Sequence, residues 1–275
     1  MGIEILRSIH PFFYGIKLYL VLDSLEQGGN PIRILAISDI HGSYSEFIAL
    51  LSKVNYRPLE DKLILMGDYV DRGPDSKRVV EQVMMMHEEE GVIVLKGNHD
   101  KMAFDALTND DDKLDTHWLS NGGYETLMSY CGADPDFLKE DFGWKDYMLL
   151  KEKIRQNNRH HLDFISSLPL YYETDEHIFV HAGINPQVED WKQQEPYDFI
   201  WIRELFYRNP VVSTDKTVVF GHTSTMDLHE SEEVWFSPDG DKIGIDGGCA
   251  YGQRLNCLEI CAGEYITHYV RNGVQ

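Results

Sequence analysis

Leu63-Ile64-Leu65-Met66-Gly67-Asp68-Tyr69-Val70-Asp71-Arg72-Gly73 sets the reading of this chain. Four apolar residues of strand character run into a loop bounded by glycines, and that loop holds Asp68, Asp71 and Arg72. Open α/β proteins place their chemistry in loops at the carboxyl ends of buried strands. Other loops of the same build flank it. Asp39-Ile40-His41-Gly42 precedes it; Gly97-Asn98-His99-Asp100, His181-Ala182-Gly183 and Gly221-His222-Thr223 follow. Each closes an apolar run. Together these loops carry the Asp, His, Asn and Arg side chains needed for a metal site that acts on phosphate.

Working outward, residues 32–37 read as the first core strand. Ser43 and Glu46 form a capping-box pair, and Phe47, Leu50, Leu51 and Val54 follow at helical spacing. Residues 62–66 are the second strand. Pro74 suits the first turn of a helix that carries Val79, Val80, Val83 and Met84 on one face. Residues 92–95 are the third strand. This β-α-β-α-β order implies parallel pairing. Stretches around 117–130 and 145–167 read as helices, so residues 101–170 are expected to form a helical insertion near the site. Its acidic loop, Asn109-Asp110-Asp111-Asp112, reads as solvated surface. Strand character returns at 177–180, 217–220, 242–245, 255–260 and 265–270. With little helix between these runs, a second, mainly antiparallel sheet is expected. The expected fold class is α/β: two mixed β-sheets packed as a sandwich, flanked by helices.

The composition is that of a globular chain: 43% hydrophobic and 26% charged over 275 residues, enough for one full core. Residues 32–275 read as a single domain and 1–31 as an N-terminal extension of open role. The apolar run at 12–22 is interrupted by Lys17 and falls short of the ~20 residues that span a bilayer. No small-residue cleavage site follows it, so neither membrane binding nor export is expected. The 46 acidic residues outweigh 25 basic ones, a formal charge of -21. Such a surface repels polyanions and speaks against nucleic acid as a partner. Cys131, Cys249, Cys257 and Cys261 show no CxxC spacing and read as thiols of a reducing cytoplasm.

Singly, each candidate ligand has a plain structural use: Asp39 as a helix cap, His181 as a core histidine, Asn98 as a turn residue. Together, at successive strand ends, they form a set. Asp39 and His41, two apart at a strand end, project to one side. Asp68 has two oxygens and can bridge two ions. Asn98 adds an amide oxygen; His181 and His222 add imidazoles. Two divalent ions bring four positive charges and the two carboxylates cancel half. The centre stays positive and attracts a phosphate dianion. Paired ions about 3.5–4 Å apart acidify a shared water and clamp an in-line displacement. Nitrogen and oxygen donors without thiolate suit manganese, with iron or zinc as alternatives. His99 stands beside the set, and Asp71 can orient its ring and favour its protonated form, so that it donates to the leaving oxygen. Arg72 can fork onto phosphate. Arg203 is a second candidate clamp; the competing reading is a surface ion pair with Glu204.

These motifs resemble the phosphoprotein phosphatase (PPP) family, in the bacterial-type branch of the calcineurin-like metallophosphoesterases. The matching positions are Asp39-x-His41-Gly42, Gly67-Asp68-x-x-Asp71-Arg72-Gly73, Gly97-Asn98-His99, His181-Ala182-Gly183 and Gly221-His222-Thr223. The resemblance implies a metallophosphoesterase fold of α+β type. It also implies one ion held by Asp39, His41 and Asp68, and another held by Asp68, Asn98, His181 and His222. His99 is implied as general acid with Asp71, and Arg72 and Arg203 as phosphate contacts. The implied reaction is attack by a hydroxide shared between the ions on a phosphomonoester of protein serine or threonine. The alternative substrate is a dinucleoside polyphosphate such as diadenosine tetraphosphate. An inactive phosphate-binding scaffold would require a missing ligand or acid, and every position is filled. Asp100 stands where animal-type enzymes have Glu, and residues 247–252 do not match their inhibitor-binding loop. Trp118-Leu119-Ser120-Asn121-Gly122-Gly123 is similar to bacterial relatives.

Overall fold

The first core strand, β1 (Ile34–Ile37), shows why layers form on both its faces. Leu35 and Ile37 enter a cluster with Phe47, Leu50, Val79 and Val83. Ala36 turns the other way, among Phe179, Val219, Ile243 and Leu258. Strand side chains alternate with period two, so a strand that is apolar throughout must be covered on both sides. The structure, a computed structural model, describes residues 32–132 and 142–273. The expectation for residues 1–31 lies outside the described residues.

β1 pairs in parallel with β2 (Lys62–Leu65), and β2 in parallel with β3 (Ile93–Val94). On the other edge of β1 lies β9 (Arg254–Cys261), antiparallel, followed by β10 (Glu264–Arg271). The first sheet therefore has the order β10-β9-β1-β2-β3. The second contains β4 (Tyr171–Glu173), β5 (His177–Val180), β6 (Thr217–Phe220), β7 (Trp235–Phe236) and β8 (Lys242–Gly244), in the order β4-β5-β6-β8-β7. Its centre, β5-β6-β8, is parallel, and both edge pairs are antiparallel. The two mixed sheets are as expected, but the second is not mainly antiparallel. The last two strands join the first sheet, where β1 offers an open edge. Closing so long a loop adds little entropy cost, because that cost grows only logarithmically with length.

Helices α1 (Tyr44–Lys53) and α2 (Ser76–Glu90) cover the outer face of the first sheet. The expected capping box does not form: Ser43 occupies the N-cap, but its side chain makes no capping bond to the helix. Glu46 instead accepts the Gly273 N–H at 3.0 Å. Asp75 is the N-cap of α2, so Pro74 stands just before its first turn. Gly91 ends α2 at φ 72°, a left-handed closure that glycine takes without strain. Between β3 and β4 come α3 (Asn98–Thr108), α4 (Asp112–Trp118), α5 (Tyr124–Cys131), α6 (Trp144–Asn157) and α7 (Arg159–Ser167). Trp118, Leu127, Tyr147, Leu150 and Leu162 tie them to the core under α1 and α2. Asp115 of α4 and Lys151 of α6 pair at 2.7 Å with both side chains buried. Helices α8 (Pro196–Trp201) and α9 (Glu204–Tyr207) cover the outer face of the second sheet, through Phe199, Ile200 and Phe206. A short α10 (Thr225–His229) follows β6. Among the described residues no helix is long and apolar enough to cross a membrane.

Candidate metal centre

Six parallel strands, β1, β2 and β3 of one sheet and β5, β6 and β8 of the other, bring their carboxyl ends together. Contacts join the two sets. His181, at the end of β5, donates from Nδ1 to the Met66 carbonyl at the end of β2 (2.9 Å). The backbone N–H of His222, after β6, donates to Asp39 Oδ2, after β1 (3.0 Å). The first loop is laced onto the second by Asp39 N to Gly67 O (3.1 Å), His41 N to Asp68 O (2.8 Å) and Gly42 N to Tyr69 O (2.9 Å). The Asp100 carboxylate accepts the N–H groups of Asp68 (2.8 Å), Tyr69 (3.0 Å) and Gly97 (2.8 Å). Asp100 is therefore a scaffold for these loops; burial and then Asp68 push its carboxyl up to about 6.

The turns are tight enough to force unusual backbone. Asp39 (φ 57°), His41 (44°), Asp68 (59°), Asp71 (72°), Arg72 (67°) and His222 (61°) lie in the left-handed region. Such conformations cost about 1–3 kcal/mol each for non-glycine residues and persist where surrounding structure enforces them. Side chains are then aimed where a regular strand could not send them.

Asp68 is the hinge of the cluster. Its Oδ2 lies 3.4 Å from His41 Nε2, and Asp39 Oδ1 is 4.0 Å from the same nitrogen. Its Oδ1 lies 3.4 Å from His181 Nε2, which is 2.9 Å from Asn98 Oδ1. His222 joins this second group, with donor atoms of Asp68, His181 and His222 all within 4.8 Å. By spacing alone His99 also falls beside His41 and Asp68. Its nitrogens are engaged elsewhere, as shown below. All of these residues are buried.

The donors fit a pair of metal ions. His41 Nδ1 donates to the Val70 carbonyl (2.8 Å) as His181 Nδ1 does to Met66. A carbonyl only accepts, so Nδ1 carries a proton in both rings and Nε2 is the nitrogen left for a metal, the usual arrangement for a metal-binding imidazole; in His41 it presents its lone pair, accepting from Arg72. His222 Nε2 is buried with no hydrogen-bond partner among the described residues. Gly97 and Gly221 leave the carboxylates their room: a β-carbon at Gly97 would collide with Asp68, and one at Gly221 with Ser38 and Asp39. The electrostatics agree. Burial lifts the Asp39 carboxyl, drives His41 down to about 3 and takes His222 well below the usual range. Burial also opposes charge on His181, but Asp68 beside it holds that imidazole up at about 9. Asp68 in turn, despite burial, is held far below the carboxylate range by His181, His99 and His41. A divalent ion would displace the proton on His181 and compensate the same carboxylate.

His99 has a different setting. Its Nδ1 donates to Asp71 Oδ2 at 2.7 Å. Asp71 Oδ1 accepts Trp118 Nε1–H (2.9 Å) and Thr126 Oγ1–H (2.7 Å). Arg72 donates from one guanidinium nitrogen to His41 Nε2 and from the other to His99 Nε2, both at 2.8 Å. The Tyr251 ring centre lies 5.0 Å from the Arg72 guanidinium carbon. Arg203 donates to the His222 carbonyl at 2.8 Å, while Glu204 reaches Arg208 (3.6 Å) rather than Arg203. A cleft of about 370 Å³ opens among Asp68, Arg72, His99, Arg203, His222 and Asp246. The sequence did not assign Trp118, Thr126, Tyr251 or Asp246 to the site. Asp246 was within reach, since it follows an apolar strand as the other site residues do. Trp118 stands in the 118–123 stretch noted above, but nothing local tied it or Thr126 to Asp71, 47 and 55 positions away.

Sheets, loops and donor cluster define a metallophosphoesterase, with a dinuclear divalent metal centre implied by the fold. Residues 32–248 match the model of the calcineurin-like phosphoesterases, and the chain belongs to that family. It is 26% identical over 232 residues to serine/threonine-protein phosphatase 1 of Salmonella typhimurium, covering 83% of this chain and 92% of that one. It is 42% identical over 258 residues to an asymmetrical bis(5'-nucleosyl)-tetraphosphatase of Geobacillus sp., covering 86% and 94%. The bacterial branch of the PPP family is thus supported. Among solved structures, a serine/threonine phosphatase of Saccharomyces cerevisiae superposes with TM-score 0.57 at 15% identity, over 90% of this chain and 81% of that one. A metallophosphoesterase of Sphaerobacter thermophilus gives 0.52 at 19%, over 89% and 90%. These two likenesses concern the fold.

Proposed function

We propose that this chain is a dinuclear-metal-dependent phosphatase that hydrolyses phosphomonoesters, with protein phosphoserine and phosphothreonine as substrates. The observation that carries the proposal is the continuous contact from Asp71 through His99 to Arg72 at the edge of the donor cluster. Asp39, His41 and Asp68 would hold one ion; Asp68, Asn98, His181 and His222 would hold the other. Manganese fits these donors, as do iron and zinc. When bound, the ions supply positive charge to the phosphate and acidify a water.

The remaining chemistry belongs to side chains. Arg72 turns its N–H groups from His41 and His99 to phosphate oxygens and fixes the phosphorus for in-line attack. Arg203, anchored on the His222 carbonyl, holds the phosphate from the other side. Freed of Arg72, His99 Nε2 carries a proton, and Asp71 stabilises the resulting imidazolium. As water oxygen bonds to phosphorus and the ester P–O bond breaks, that proton passes to the leaving oxygen. The products are an alcohol and inorganic phosphate.

One observation favours a second reading. The Geobacillus relative at 42% identity is named for a dinucleoside tetraphosphate, and the same site would cleave a P–O–P link. Manganese-loaded protein offered a phosphoserine peptide and diadenosine tetraphosphate at equal concentration is the test. Faster release of phosphate from the peptide is expected; rapid cleavage of only the dinucleotide overturns the first reading in favour of the second.

A further inference from the structure

Each parallel strand but one delivers to the cluster a residue already considered: Asp39 and His41 after β1, Asp68 after β2, Asn98 after β3, His181 after β5 and His222 after β6. The exception is β8, and the residue at its end is Asp246. The β6–β8 register pairs Phe220 with Gly244. The ladder runs on through Ile245 N to Phe220 O at 2.9 Å, which sets Asp246 level with His222, whose buried Nε2 has no partner among the described residues. Asp246 is 7% exposed and lines the cleft with Asp68, Arg72, His99 and His222. One carboxylate oxygen accepts the Gly248 N–H (2.9 Å), and the Asp246 carbonyl accepts the Thr225 N–H (2.8 Å). Gly247 has no room for a β-carbon against the Arg254 carbonyl (2.5 Å). Asn272 holds the next turn through the Cys249 carbonyl (2.7 Å). The carboxylate is therefore held at the cleft by a turn that Gly247 and Asn272 also fix.

We propose that Asp246 is a third carboxylate of the metal centre, a positioning residue that contributes negative charge to the ions at the end of the cleft it shares with Asp68 and His222. This rests on the metal-centre reading above. Asp39 and Asp68 act on its carboxylate with like charge, and Arg72 opposes them. In the absence of metal, a third carboxylate there adds repulsion. With two divalent ions the balance reverses, since four positive charges meet three negative ones and the centre remains attractive to phosphate. Groups that orient or support metal ligands from outside typically change metal affinity by 10–100-fold when removed.

Asp246→Asn isolates the charge, because the amide oxygen can still accept the Gly248 N–H. Mn2+ titration by calorimetry on metal-stripped wild type and variant is the measurement, with thermal melting of the stripped proteins alongside. The expected result is two ions bound by wild type, about 10–100-fold weaker binding of one of them in the variant, and a stripped-protein melting temperature that is unchanged or raised. Equal affinities for both ions in the two proteins overturn the role of Asp246 while leaving the metal centre intact. A drop in stripped-protein stability with affinities unchanged assigns Asp246 to the turn alone and also overturns it. No Mn2+ bound by wild type removes the metal centre itself. Should the Asn variant fail to fold, Asp246→Ser keeps a hydroxyl acceptor for Gly248 and is read in the same way.

Discussion

Asp71 and Asp115 are both fully buried carboxylates paired with a base, yet the regions around them are built by opposite rules. Asp71 sits at φ 72° in a strand-end loop, bonded to His99, Trp118 and Thr126. Asp115 sits in the helix α4, and both its oxygens meet Lys151 Nζ of α6, at 2.7 and 2.8 Å. Lys151 also donates to the Asn109 carbonyl (2.7 Å), so its polar demands are met inside the helical layer. Around Asp71 the backbone is left-handed and the neighbouring imidazoles turn lone pairs toward a cleft. Around Asp115 no described residue from 98 to 131 or 144 to 167, glycines apart, has positive φ. Burial of charge alone therefore does not mark a site. The mark is buried charge together with enforced backbone and donors that nearby protein leaves unsatisfied.

Removing the base from each carboxylate breaks the two regions differently. His99→Asn is expected to lower turnover of an alkyl phosphate by roughly 10²–10⁴-fold, with little loss on an activated aryl phosphate and with metal content intact. Asp71 keeps Trp118 and Thr126 as donors, so the melting temperature should move little. Steady-state rates on the two esters, beside elemental analysis, decide this. An equal loss on both esters would remove His99 from the proton-transfer step.

Lys151→Met is expected to do the reverse. Breaking a buried ion pair by removing one partner leaves a charge without compensation and costs about 3–5 kcal/mol. Denaturant midpoints should record that loss, while turnover per folded molecule stays near wild type. Replacing both partners, Lys151→Met with Asp115→Leu, should recover most of it. If the double variant is as unstable as the single one, packing rather than charge is the source of the cost.

The contrast also explains what could be read from the sequence. The donor loops announced themselves because each is local: an apolar run, then Asp, His or Asn with a glycine before or after it. The core strands were readable for the same reason. Pairing of β9 with β1 was not, since Ile34 meets Ile260 across most of the chain, and no local pattern records which edge stays open. Ser43 and Glu46 have the right spacing for a capping box, but Gly273, brought in from the far end, takes the glutamate. The support of Asp71 by Trp118 and Thr126 is likewise a product of folding. Asp246 is the instructive miss: the strand-end rule applies to it, but no histidine stands beside it to draw it into the set.

The smallest expected effect lies in the helical layer and concerns pH. His161 of α7 is buried, and Tyr130 O–H lies 2.8 Å from its Nδ1. Burial, then His160 and Lys77, lower its imidazole to about 4; Glu81 acts on the ring's partner, Tyr130. The unfolded imidazole titrates near its ordinary value of about 6.5. Between these values the unfolded chain binds a proton that the folded one refuses, so stability rises with pH across that window. The contribution is complete above pH about 6.5 and is lost as pH falls toward about 4. Urea midpoints at neutral and mildly acidic pH, compared between wild type and His161→Gln, measure it. The variant should lose less stability on acidification than wild type; identical losses would place the acid sensitivity in other groups, and the layer around Lys151 would then be insensitive to pH as well as unstrained.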